Sequence, residues 1–266
     1  MGRAHPELVD LVGGLIADGP RNRPPRIAVV GAQGSGKTTL ARAAAERFGA
    51  AQISLDDVYL TRAEREMLAR EVHPLFATRG PPGTHDLVLL AGLIDRLSSA
   101  APDDETLIPG FDKRADDRAP RDRWRRFRDR PSAILVDGWC LGARPEDEAA
   151  LAAPVNALER EQDPDGVWRR AVNARVAGSY AAFAARFDAI LFLKAPGFEV
   201  VLDWRARQEA DLLGLAPADL PPAERARLAG FIQSFERLTR RMLAGGVTAS
   251  VTVKLDRNHR PLAIEP

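Results

Sequence analysis

Cysteine is nearly absent from this chain: Cys140 is the single one in 266 residues. A lone thiol closes no internal disulfide and leaves no thiolate zinc cluster, which fits a reducing compartment. Its plain reading is a small buried apolar residue. Neither sign of charge is in excess, with 38 Lys and Arg against 37 Asp and Glu, so bulk charge draws the chain to neither nucleic acid nor membrane. Long apolar runs are missing too, and the start "MGRAHPELVD" has no apolar signal core. The expectation is a soluble cytoplasmic protein with no membrane partner and no nucleic-acid partner. Lysine is scarce: Lys37, Lys113, Lys194 and Lys254 stand among 38 basic residues.

What the chain does have is apolar content, 45% hydrophobic residues, enough for one large core. Five short branched or large apolar runs read as buried strands: Ile27 to Val30, Gln52 to Leu55, Ile134 to Asp137, Ile190 to Leu193 and Ser250 to Leu255. Helical spacing lies between them, in Lys37 to Phe48, in Leu87, Leu90, Ile94 and Leu97 after an N-cap at Thr84, in Trp168 to Phe187, and in Leu228 to Met242. Strands alternating with helices predict an α/β fold, a parallel sheet covered on both faces. Residues 1–25 read as one helix, Glu7 to Ala17, and a proline-rich lead to a domain over 26–266. Residues 57–130 exceed what a simple crossover needs and predict a functional insertion.

"RIAVVGAQGSGKTTLARAAAERF" is a strand, a glycine-rich turn and a helix. Gly31, Ala32, Gln33, Gly34, Ser35, Gly36, Lys37 and Thr38 fit the P-loop pattern in full. Small residues let backbone N–H groups curl round a phosphate, and the helix N-terminus adds its positive end. Lys37 is expected to reach the terminal phosphates and Thr38 to bind magnesium, with Thr39 completing the turn around ATP. "AILVDGWCLG" ends a strand on Asp137, where a carboxylate holds magnesium directly or through water. No Asn-Lys-x-Asp guanine motif occurs.

"SLDDVYLT" places Asp56 and Asp57 at the end of the second strand, which opens on the same crevice as the P-loop. Transfer of a phosphoryl group to a hydroxyl needs a carboxylate there to orient and deprotonate the acceptor. Asp56 is favoured as that base, with Asp57 as cap or metal support. The plain alternative is a helix N-cap pair.

Together "GAQGSGKTT", "SLDDVYLTRAEREMLA", "HPLFATRGPPGTHD", "FDKRADDR", "VDGWCLG" and "FERLTRRML" resemble the glycerate 3-kinase family of P-loop small-molecule kinases, over about residues 26 to 260. The resemblance implies a three-layer sandwich with a five-stranded parallel sheet in the order 2-3-1-4-5, phosphorylation of D-glycerate to 3-phosphoglycerate, and Asp56 as base. The strand-three acid in such families is more often glutamate, so Asp137 is a departure that softens the metal assignment.

A small carboxylate acceptor asks for cations near the γ-phosphate. Arg79 and His85 sit in a loop stiffened by Pro81 and Pro82; His85 reads equally as a first-turn residue of the helix near Thr84. Lys113 and Arg118 in "FDKRADDR" are substrate candidates, or part of a solvated loop of compensating charge. Arg205 and Arg207 fall in a predicted lid over about 197–215 that closes on the triphosphate. His259 and Arg260 follow the fifth strand, where adenine would rest. Two other readings stand: a kinase for a nucleoside or pantothenate-like acid, kept open by Phe76, Phe111 and Trp124, and a P-loop ATPase that phosphorylates nothing. Oligomeric state is left open.

Overall fold

A computed structural model describes residues 4–266. Helix α1 (Pro6–Ala17) leads into β1 (Arg26–Gly31), α2 (Lys37–Phe48) and β2 (Ala51–Ser54). Helices α3 (Arg62–Glu71) and α4 (Leu87–Ser98) precede β3 (Ile134–Gly138). Helix α5 (Val167–Arg175), β4 (Ala189–Lys194), α6 (Glu199–Leu213), α7 (Pro222–Leu243), β5 (Val251–Leu255) and β6 (Pro261–Glu265) complete the main frame. The sheet has six strands rather than the five expected. Five run parallel in the spatial order β2-β3-β1-β4-β5, and β6 adds antiparallel at the β5 edge. The sixth was missed because "PLAIEP" carries a proline and half-exposed apolar residues, the pattern of an edge strand rather than a buried one.

Alternation along β1 divides the core. Ala28 and Val30 face α4 and α7, beside Ile53, Val136 and Phe192, while Ile27 and Val29 face α1 and α2, beside Leu135, Leu191 and Val253. Period-2 side chains on a sheet covered on both faces produce those two layers of core. Helix α1 joins the second: Leu8, Val9 and Val12 are buried there with Leu40 and Ala44.

The long excursion between β2 and β3 is more structured than its composition suggests. Besides α3 and α4 it forms two antiparallel ribbons, Glu105–Ile108 with Arg125–Arg128 and Phe111–Asp112 with Asp117–Arg118. The cap of α4 is Asp86, which accepts from Leu89 N at 2.8 Å. Thr84, expected there, is buried and instead ties the preceding turn through Gly80 N (3.0 Å) and Pro81 O (2.8 Å). Arg65, fully buried, holds the excursion together: it donates to the carbonyls of Leu60, Ala77 and Asp116 and to the Asp116 carboxylate.

Candidate active site

The turn from β1 to α2 has the shape its sequence calls for. Gly34 and Gly36 lie at φ 78° and 86°, the left-handed region. A Cβ on Gly34 would stand 2.6 Å from Cβ of Trp204, so α6 rests directly on the loop. Lys37 donates to Ala32 O at 3.3 Å, and burial lowers its pKa against the pull of Asp56 and Asp137. The side-chain amide of Gln33 and the hydroxyl of Ser35 are buried without partners among the described residues. Small residues, a half-buried lysine and unpartnered polar atoms at a helix N-terminus suit a polyphosphate.

Asp137 ends β3 beside this turn. Its Oδ2 accepts from Thr38 Oγ1 (2.7 Å) and Ser54 Oγ (3.0 Å), and its Oδ1 from Gln52 Nε2 (2.6 Å). Gln52 is oriented in turn by Arg125, which donates to its backbone carbonyl at 2.9 Å and its Oε1 at 3.3 Å. Burial raises the Asp137 pKa despite those donors. Thr38, whose hydroxyl donates its hydrogen bond to Asp137, keeps its lone pairs for a cation. This donor set fits magnesium held by Thr38 directly and by Asp137 through water. Gln52, Ser54 and Arg125 were not singled out from sequence; the only hint was that β2 is neighbour to β3.

The twin aspartates point to different partners. Asp56 accepts from Tyr59 Oη and from Lys113 Nζ, both at 2.9 Å. Burial by itself would raise its pKa; the charge and hydrogen bond of Lys113, the charge of Lys37 and the Tyr59 bond outweigh that and hold it well below the usual carboxylate range. Asp57 caps Ser54 N at 3.3 Å and has only Arg125, 3.9 Å away, as a cation. Burial pushes it up to about 6.

The remaining candidates fall into three groups. Arg79 makes an ion pair with Asp116, the same carboxylate that Arg65 uses, so one acid serves two guanidiniums. Arg118 donates to Tyr59 O (3.1 Å) and to Asp86 (2.9 Å), fastening the 111–118 hairpin to the start of α4. His85 is buried, stacked on Tyr59 with ring centroids 4.6 Å apart, and burial lowers its pKa to about 4. It precedes α4 rather than lying in its first turn. Arg118 and His85 meet at Tyr59, and Arg79 lies over Phe111, which packs on the same tyrosine.

On α6 the two arginines part company. Arg205 is largely buried, beside Glu209, with its pKa lowered by burial and the charges of Asp56 and Glu209 acting against that. Arg207 is exposed. His259 stacks on Trp204 and bonds Gly34 O at 2.7 Å, so it buttresses the P-loop backbone. Arg260 is exposed and closes the β5–β6 turn through Asp256. Among the described residues no helix is long and apolar enough to cross a membrane.

No protein-family model matches the chain, and no curated protein sequence matches it. Solved structures do. The YGR205w protein aligns over 97% of this chain and 95% of its own, at 21% identity and a TM-score of 0.68. D-glycerate 3-kinase from Cryptococcus neoformans var. grubii serotype A aligns over 97% of this chain and 98% of its own, at 19% identity and a TM-score of 0.74. The chain therefore shares the P-loop fold of a D-glycerate 3-kinase along nearly its whole length.

Proposed function

We propose that the chain is a magnesium-dependent ATP kinase that phosphorylates a hydroxyl of D-glycerate, giving 3-phosphoglycerate. The observation that carries the reading is Asp56: a carboxylate that accepts a hydrogen bond from Lys113 on the 111–118 hairpin and lies within the field of the P-loop lysine, both of which hold its pKa down. A carboxylate held this far down is a weak base at rest. In a loose phosphoryl transfer it first orients the acceptor hydroxyl and takes its proton late, as oxygen bonds to the γ-phosphorus and the bond to ADP breaks. Magnesium, held by Thr38 and Asp137, would neutralise charge between the β- and γ-phosphates. Lys37 and Arg205 would meet the charge on the transferring group, with Asp57 supporting the metal side.

Arg79 supports a carboxylate acceptor. Because Asp116 is shared with Arg65, the cluster keeps one net positive charge, and among the described residues only Nη1 of Arg79 makes a hydrogen bond. A planar guanidinium with free donors suits a carboxylate. His85, Lys113 and Arg118 complete the proposed acceptor side. Aromatic stacking of a nucleoside is less well served: Phe76 is fully buried beneath Arg175, and Phe111 already packs on Tyr59.

The test is Mg-ATP turnover with D-glycerate, L-glycerate, uridine, pantothenate or no acceptor, with the product identified and Asp56→Asn run beside the parent. D-glycerate alone should drive ADP release, and Asp56→Asn should lower kcat by about 10²–10⁴-fold while still binding ATP. Background turnover with every acceptor removes the kinase reading. Unchanged turnover in Asp56→Asn removes the base assignment.

A further inference from the structure

His85 has a ring nitrogen that the fold leaves unused. Its Nε2 is buried and has no partner among the described residues, in a residue only 5% exposed. Its Nδ1 lies 2.5 Å from the hydroxyl of Tyr180, and that oxygen also accepts from the backbone N–H of Gly83 at 3.0 Å. A phenolic oxygen has one proton to give. With Gly83 N–H donating to the oxygen and no other acceptor bonded to it among the described residues, the Tyr180 proton goes to His85 Nδ1. The histidine proton then resides on Nε2.

Three features make this arrangement specific. Tyr180 closes a π-helical segment, Val176–Tyr180, that interrupts α5 from its continuation Ala181–Ala184; such segments displace one residue from the ordinary helical register and recur at functional positions. Gly83, at φ 108°, presents its N–H from a backbone conformation that side chains disfavour. The His85 ring stacks on Tyr59, whose hydroxyl binds Asp56, so the unused donor stands one ring away from the carboxylate. A buried N–H without a partner costs stability, and its placement here needs a reason.

We propose that Tyr180 is a positioning residue that holds His85 as its neutral Nε2–H tautomer, and that this N–H binds an oxygen of the phosphate acceptor. The proposal rests on the reading that the acceptor lies beside Asp56. It divides the recognition chemistry: an uncharged donor for a hydroxyl or carboxylate oxygen from His85, and charge recognition from Arg79. The low proton affinity of His85 in its buried setting agrees with a ring that stays neutral through the physiological range.

Nitrogen-15 NMR of the full-length chain, with His85 assigned through a substituted variant, reads which ring nitrogen carries the proton. The expected result is protonated Nε2 and bare Nδ1, a signal that shifts when D-glycerate is added, and a mixture of tautomers in Tyr180→Phe. Steady-state kinetics gives a second readout. Tyr180→Phe should raise the KM for the acceptor about ten- to a hundredfold, the size of one buried hydrogen bond lost, with the KM for ATP unchanged. His85→Gln, whose amide NH₂ stands where Nε2–H stood, should keep most acceptor affinity; His85→Asn, which mimics the other nitrogen, should not. A proton on Nδ1 in the parent, or equal losses in His85→Gln and His85→Asn, overturns the relay. An Nδ1–H tautomer with glycerate still turned over sinks the relay and spares the kinase reading. An Nε2–H tautomer that never responds to glycerate, with no acceptor turned over, removes both the acceptor contact and the kinase reading while the Tyr180 bond stands.

Discussion

Asp56 and Asp57 are covalent neighbours with opposite electrostatic settings, and the difference is measurable. For Asp57, burial pushes the carboxyl up to about 6, against about 3.9 in an unfolded chain. Between those values the folded chain holds the proton more tightly than the unfolded one, so stability falls as pH rises through that window and the penalty is fully present at neutral pH. The side chain is 28% exposed, which limits the penalty to on the order of 1 kcal/mol. Asp57→Asn keeps an acceptor for Ser54 N and removes the charge. Its Tm should match the parent near pH 4 and exceed it by a few degrees at neutral pH; a difference that does not vary with pH counts against the burial argument. Asp57 was read from sequence as a cap or metal support; its carboxylate accepts from Ser54 N, and the metal role is part of the proposal. The raised pKa of Asp57 was not legible, because it depends first on burial, and then on the opposing charges of Arg125 and Asp137, which lie far along the chain.

At the scale of elements, helix α6 presents two arginines two residues apart to different surroundings. Two steps along a helix turn a side chain through about 200°, so Arg205 and Arg207 cannot both face the P-loop. Arg205→Ala should lower kcat by about 10²-fold or more, as for an electrostatic contact made in the transition state, and Arg207→Ala should stay near the parent. Equal effects in steady-state kinetics would contradict the orientation seen here. Helicity was readable from the local pattern; which face met the loop needed the packing of Trp204 on Gly34. The insertion gives a second element-scale case. Arg65→Met removes a fully buried guanidinium from three carbonyls and a carboxylate. It should cost about 3 kcal/mol, a fall in Tm on the order of 5–10 °C, checked by thermal denaturation; a shift within one degree rules out the clamp. In sequence Arg65 is one of three similar charges in "TRAEREMLAR", and nothing local distinguishes the buried one.

At the scale of the whole molecule, a nucleotide bound at the P-loop would add to stability, because that loop joins β1 and α2, both of which belong to the larger cores. Saturating Mg-ATP, at about a hundredfold over Kd, should stabilise the fold by about 2.7 kcal/mol, and thermal melts should rise by several degrees. Lys37→Ala should lose most of that rise. An equal rise in the variant would mean that ATP binds elsewhere.

The sequence by itself determined what depends on contiguous residues: the strand, turn and helix around the P-loop, the buried strands whose apolar runs mark them, and the placement of Asp137 near the end of β3 and of Asp56 in the 3₁₀ turn just after β2. Backbone hydrogen bonding and side-chain period are local, so these features can be read along the chain. Tertiary structure decided what each charge is worth. Lys113 meets Asp56 across 57 residues, Gln52 meets Asp137 across 85, and Tyr180 meets His85 across 95. Burial and a few ångströms of approach set the protonation and donor direction of those groups, and neither quantity exists until the sheet and its insertion have closed around them.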